Sequence, residues 1–347
     1  MDVLKLEPTR VWRTYIGGRT LDKLSGKDGE ISSFPEDWIA SMTRAVNAGR
    51  EDVTDEGLSR VIPSGEMLRD LIDADRDGML GDKSMSSMGF LMKLIDSSER
   101  LTIQVHPTRE DARILFNSEY GKTESWFFLG ENESYIYLSF KPGITRDRWK
   151  DLFERQNLEE MLGCLNKIKV KKGDTVIIKG GVPHAIGSDC FVCELQEPTD
   201  ISIRTERTTP SGFRIADSQC HQGVGFEKMF DVFKYEGITE EEARARYFLK
   251  PASYFSNESL TVHSLIPYTV TPYFKMRKIE NRGTSVLSRT GKCSVWYVLD
   301  GRGEVNGTEM KKHDRFFIPA AVNSLALDGD FSLIECYGPK REGDEDL

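Results

Sequence analysis

The segment Lys171 to Ile186, KKGDTVIIKGGVPHAI, is echoed by Lys311 to Leu327, KKHDRFFIPAAVNSLAL. Each copy is a β-rich run entered through a charged turn. Aligned on Asp174 and Asp314, His184 falls opposite Ser324, so the second copy lacks the imidazole. A strand–turn–strand unit written twice predicts a mainly β chain of two small barrels or jelly rolls, one with a site and one without.

The chain between and around the copies fits this plan. Residues 1–60 show weak periodicity, with a strand entered near Phe34–Ile39. Met67, Leu68, Leu71 and Ile72 predict a helix over 66–74. Asp73 to Gly78 matches the first half of a calcium loop, but its twelfth position is Ser84 rather than a bidentate Glu, so a solvated turn is expected. Gly89 to Asp96 is a buried-strand candidate whose Lys93 must either reach solvent or meet an anion. Trp149, Leu152, Phe153, Leu158, Met161 and Leu162 give helical spacing over 145–165, a segment expected to border the pocket. Strands resume over 168–204 and 273–337, with a helix over 239–247. The expected organisation is a site-bearing barrel from 1–144 and 166–260, a second barrel from 261–340 and a disordered acidic tail from 341–347.

The chemistry concentrates in Leu101 to Glu124. Along an extended Thr102–His106, Thr102, Gln104 and His106 share one face while Ile103 and Val105 share the other. Pro107 ends that strand, and Thr108-Arg-Glu-Asp111 reads as a capped helix start. Lys122 and Glu124 share a face in the next strand. Gln104, His106, Glu124 and His184 together offer an amide oxygen, a carboxylate and two imidazoles. Such a set suits zinc and also admits manganese, iron or cobalt. Cys190-x-x-Cys193 has no partner pair, so it reads as buried thiols rather than a zinc ribbon.

The motifs FLMKLID (Phe90 to Asp96), LTIQVHP (Leu101 to Pro107), GKTESWFFL (Gly121 to Leu129) and GDTVIIKGGVPHAI (Gly173 to Ile186), with the stretch Glu194 to Arg204, resemble the type I phosphomannose isomerases, a cupin-type zinc enzyme family. The likeness runs from residue 60 to 338. It implies two cupin-like jelly-roll barrels and one zinc ion per chain, held by Gln104, His106, Glu124 and His184. It further implies Arg204, Glu194 and Lys122 as catalytic residues, and Thr102, Lys122 and Lys93 as contacts to the substrate. The expected reaction interconverts mannose 6-phosphate and fructose 6-phosphate through an enediol. Without the resemblance, Arg204 and Lys122 read as members of surface ion pairs.

Three stretches depart from the family's usual pattern: Ile16-Gly17-Gly18, Trp38-Ile39-Ala40-Ser41 and Gln196-Glu197-Pro198-Thr199-Asp200. They motivate two alternatives, a sugar-phosphate-binding or regulatory cupin without turnover and an isomerase of another phosphosugar. A cupin oxygenase is disfavoured by the absence of a His-x-His pair. The net charge of −9 argues against a general nucleic-acid binder. No apolar run approaches the ~20 residues that span a bilayer. Six cysteines in 347 residues do not form a disulfide framework. A cytoplasmic monomer or homodimer is expected, with a small sugar phosphate as its partner.

Overall fold

In the computed structural model, which describes residues 1–47 and 49–346, the alternating apolar runs pair into three antiparallel sheets. A seven-stranded sheet runs Phe248–Leu249, Thr175–Ile178, Glu124–Phe128, Cys190–Gln196, Leu91–Ser97, Glu36–Ile39, Arg10–Val11. It faces a five-stranded sheet ordered Ile203–Arg204, Gln104–Val105, His184–Ile186, Ser134–Phe140, Leu165–Val170. Ile95, Trp126, Phe128, Val176, Ile178 and Val192 of the first sheet meet Ile136, Leu138, Ile168 and Ile186 of the second in one buried cluster. These two sheets form the first barrel.

The nine-stranded sheet forms the second barrel. Its main path is Leu4–Lys5, Arg315–Ile318, Ser294–Val305, Ser324–Tyr337, Lys275–Asn281, Leu260–Ile266, Ala252–Ser256. The two longest strands carry the sheet round a corner, with a register shift between Val298 and Asp300 and a left-handed Gly329. Both copies of the repeat build the same turn: Asp174 Oδ2 accepts from Lys171 N at 3.0 Å, and Asp314 Oδ2 accepts from Lys311 N at 2.8 Å. His184 and Ser324 each open the strand that follows, as the alignment predicts.

Strand alternation explains how the barrels join. Met92, Leu94, Phe127, Ile177, Cys193 and Leu195 point away from the first barrel's interior and pack with Ile266, Met276, Val295, Phe317, Ile334 and Cys336 of the second. Leu91–Ser97 is therefore covered on both faces, and every residue in it is buried.

Several expectations are corrected. Residues 145–165 form two helices, Arg146–Arg155 and Leu158–Gly163, broken at a left-handed Gln156. Their apolar face, Trp149, Leu152, Phe153 and Met161, covers Ile103, Val105, Ala185 and Ile203 on the back of the five-stranded sheet, so no residue of 145–165 lines the site cavity described below. Asp75 caps a short helix, Arg76–Leu80, instead of sitting in a solvated turn. Leu4–Lys5 and Ala252–Ser256 pair into the second barrel, although both precede its expected start at 261. The acidic tail is docked rather than disordered through residue 346: Asp344 Oδ2 meets Lys292 Nζ at 2.5 Å and Asp346 O accepts from Tyr268 N at 2.9 Å. Leu347 lies outside the described residues. Among the described residues no helix is long and apolar enough to cross a membrane.

Candidate active site

The strand carrying Gln104 is positioned by its apolar side. Ile103 and Val105 are fully buried against the helices, each worth roughly 1.5–3 kcal/mol. That burial turns Thr102, Gln104 and His106 the other way. Thr108 then starts the helix Arg109–Phe116 with a capping box to Asp111. Gly121 comes back against this corner so closely that a Cβ would sit 2.7 Å from Pro107 O and from Arg109 N. The close approach is held by Lys122 N donating to Pro107 O, and it brings Lys122 and Glu124 beside His106.

His106, Glu124 and His184 converge with ligand atoms within 4.8 Å of one another, all three buried. His106 Nε2 stands 2.9 Å from Glu124 Oε2, and His184 Nε2 stands 3.2 Å from Glu124 Oε1. Each ring donates its other nitrogen to a backbone carbonyl: His106 Nδ1 to Ile201 O at 3.1 Å and His184 Nδ1 to Val182 O at 2.8 Å. Both Nε2 lone pairs are thus directed at the carboxylate, the usual orientation of a metal-ligating histidine. Burial and the charge of Lys122 push the His106 imidazole down to about 3, which keeps it neutral. Burial raises the Glu124 carboxyl, but the Lys122 ammonium outweighs it and holds the group well below the usual carboxylate range.

This donor set fits a cation. Both Glu124 oxygens and His184 Nε2 are buried without a hydrogen bond of proper geometry, although Lys122 Nζ lies 3.1 Å from Glu124 Oε2. Each such atom costs about 1–3 kcal/mol if left unmet. Gln104 is the register partner of His184 and lines the adjoining cavity.

That cavity encloses about 490 Å³ and brings together Thr102, Lys93, Lys122, Glu194 and Arg204, all named from the sequence. In a chain of net charge −9, six cationic and four acidic side chains line it. Lys93 neither reaches solvent nor stands free: its Nζ is 2.9 Å from Glu194 Oε1 and 3.7 Å from Glu36 Oε2. Trp126 Nε1 donates to Glu194 Oε2 at 2.9 Å. Burial and the Glu124 charge push the Glu194 carboxyl up, against the pull of Lys93 and Lys122. Arg204 Nη1 donates to the carbonyls of Ser202 and Gln219, and among the described residues no carboxylate lies within ion-pair distance of it. The surface-ion-pair reading therefore fails for Arg204, and for Lys122, which is buried between Glu124, His106 and Ser202.

Arg13, Tyr15 and Glu36, which the sequence did not single out, complete the wall with Asp200, which lies, like Trp38, in one of the departing stretches. Arg13 Nε meets Glu36 Oε2 at 3.0 Å and its Nη1 meets Asp200 at 3.1 Å, while Tyr15 OH and Trp38 Nε1 both donate to Glu36. Burial works against ionisation of Glu36, yet Arg13 and Lys93 hold its carboxyl at about 2. The available signal was Glu36 and Trp38, a charged and an aromatic residue on one face of the short strand Glu36–Ile39.

Known proteins carry the same arrangement of chain. The family profile for phosphomannose isomerase type I, catalytic domain, matches residues 45–124. The mannose-6-phosphate isomerase of Streptococcus mutans is 24% identical over 336 residues, which is 94% of this chain and 95% of that protein. A mannose-6-phosphate isomerase of Bacillus subtilis is 26% identical over 243 residues, 69% of this chain and 71% of its own length. The crystal structure of the mannose 6-phosphate isomerase from Bacillus subtilis superposes with a TM-score of 0.75 at 22% identity, covering 97% of this chain and 100% of that one. With a mainly β fold shared end to end and the catalytic-domain profile matched across the site's first half, the chain is similar to the type I phosphomannose isomerases.

Proposed function

We propose that the protein is a metal-dependent aldose–ketose isomerase that interconverts mannose 6-phosphate and fructose 6-phosphate. The observation that carries this reading is the buried triad His106–Glu124–His184, with its unmet ligand atoms beside a cation-rich cavity that also holds Glu194. Gln104, His106, Glu124 and His184 would hold one zinc ion per chain, a donor set that zinc favours. Bound there, the ion supplies positive charge to the sugar's oxygens as negative charge develops on them.

The remaining work falls to the chain. Glu194, a carboxylate made more basic by burial, takes the proton from C2 of the aldose and, after exchange with solvent, delivers a proton to C1 of the enediol while O1 gains a proton and the O2 hydroxyl gives one up, leaving the ketose carbonyl at C2. Trp126 and Lys93 grip its two oxygens, so Lys93 acts by positioning Glu194 and not as a direct contact to phosphate. Arg204, whose guanidinium faces the cavity without a carboxylate, and the Thr102 hydroxyl bind the phosphate. Lys122 orients Glu124 and His106 and adds positive charge to the sugar end. Six free, buried cysteines suit a reducing, cytoplasmic setting.

The test is a coupled assay of the zinc-loaded protein with mannose 6-phosphate, following fructose 6-phosphate, against a chelated control. Metal-dependent turnover is the expected result. A ligand-induced rise in melting temperature without turnover of any hexose phosphate would replace the isomerase with a sugar-phosphate-binding protein.

A further inference from the structure

The duplication reaches deeper than the repeated turn. In the first barrel Glu194 is flanked in register by Lys93 on one side and Trp126 on the other. In the second barrel Glu335 is flanked in the same way by Arg277 and Trp296. Counting from these anchors sets Gly121-Lys122-Thr123-Glu124 against Gly291-Lys292-Cys293-Ser294. Gln104 lies opposite His184, and Ser288 lies opposite Ser324. Of the four proposed ligand positions, Gln104, Glu124 and His184 thus become Ser288, Ser294 and Ser324, and His106, two residues past Gln104, becomes Thr290. Neutral hydroxyls do not hold zinc. The charged positions are kept: Lys122 as Lys292, Lys93 as Arg277 and Glu194 as Glu335.

A cavity of about 580 Å³ opens over these retained residues, similar in size to the one in the first barrel. Lys275, Arg277, Arg289 and Lys292 line it together with the rings of Tyr254 and Tyr268. Lys275 Nζ lies 5.8 and 5.6 Å from those two ring centroids. Glu335, beneath, pairs with Arg277 at 2.6 Å and accepts from Tyr337 OH at 2.7 Å. Among the described residues the other carboxylates at the cavity, Asp344 and Glu345, belong to the docked tail, and Asp344 reaches Lys292 Nζ. Burial, then the nearby Arg277 charge, lowers the Lys275 ammonium, as expected where cations are crowded together.

We propose that the second barrel is a metal-free duplicate that binds the phosphate monoester of a small sugar or polyol, and that the tail carboxylates of Asp344 and Glu345 compete for the same cations. The cationic wall suits a dianion that takes the place of the tail carboxylates, tyrosine faces suit the carbon chain, and the volume suits a ligand of the size the first barrel accommodates. The proposal stands whether or not the first barrel turns over substrate.

The experiment is calorimetric titration of the zinc-loaded full chain with glucitol 6-phosphate, which has no carbonyl to isomerise, and separately with inorganic phosphate. Hydrogen exchange is followed in both titrations. Two binding events per chain are expected with glucitol 6-phosphate, one of them surviving Arg204→Ala. Asp344→Asn should tighten that event about five-fold, the effect of removing one competing ion pair, and Lys292→Met should abolish it. Ligand should protect 252–256 and 275–281 from exchange while loosening 341–346. A single event in the wild type that Arg204→Ala removes, an Asp344→Asn affinity equal to wild type, or equal affinity for inorganic phosphate and glucitol 6-phosphate would overturn the proposal. Loss of turnover with the second event intact would count only against the isomerase reading.

Discussion

Glu194 Oε1 lies 2.9 Å from Lys93 Nζ on the neighbouring strand, and both side chains are almost wholly buried. The ammonium offsets part of the rise that burial and Glu124 impose on the Glu194 carboxyl. Lys93→Met is therefore expected to raise that carboxyl further and move the acid limb of the kcat/KM–pH profile to higher pH. At neutral pH kcat should fall roughly 10²-fold, the low end of what a general base contributes. Breaking a buried pair also costs on the order of 3–5 kcal/mol, so the melting temperature should drop. Lys93→Arg should restore the pH profile. An unmoved acid limb would separate Glu194 from the proton transfer.

Glu124 bridges two imidazoles, so its loss removes a ligand and leaves both rings unopposed. Glu124→Ala is expected to weaken zinc binding by more than the ~10–100-fold typical of losing an outer partner. Chelator competition measures this directly. Gln104→Ala tests the fourth position in the same way, and unchanged affinity would remove Gln104 from the ligand set.

Arg204 offers the cavity a guanidinium bonded only to carbonyls. Arg204→Ala should raise KM for the phosphorylated sugar roughly 10–100-fold, the range for losing a charged hydrogen bond worth about 1.5–3 kcal/mol. Turnover of unphosphorylated mannose should change far less. Equal losses on both sugars would mean that Arg204 does not read the phosphate.

The second barrel carries its own pH dependence. Burial opposes ionisation of Glu335, but Arg277 and Arg289 hold its carboxyl at about 2, below its ordinary value near 4.5. The folded value lies below the unfolded one, so this stabilisation is fully present above about pH 4.5 and is lost as pH falls toward 2. A shift of this size corresponds to roughly 3 kcal/mol. Denaturant unfolding between pH 6 and 3 should show a steep loss of stability that Glu335→Gln flattens. Equal slopes for the two proteins would contradict the pairing.

Much of the site was legible because its signals are local. The alternation over Thr102–His106, the Thr108 cap and the shared face of Lys122 and Glu124 lie within about two dozen residues, and each has a sequence signature. The duplication was legible for the same reason, from Asp174 and Asp314 in matching turns. Arg13, Tyr15 and Glu36 were not, because they sit on strands of two to four residues or in loops, and their meaning comes from pairing with Lys93 and Asp200, far along the chain. The tail was read from charge alone, which says nothing of Lys292 waiting on the second barrel. The break at Gln156 is a single left-handed residue in an otherwise continuous apolar stripe.

The most direct test of the account follows deuterium rather than product. The zinc-loaded protein is incubated with mannose 6-phosphate in heavy water, and both sugars are read by NMR. Solvent deuterium is expected at C2 of the aldose and C1 of the ketose, appearing with turnover and vanishing on chelation or in Glu194→Gln. Zinc demonstrably bound, with neither deuterium entering either sugar nor any ketose formed, would contradict proton transfer through Glu194 and with it the proposed reaction.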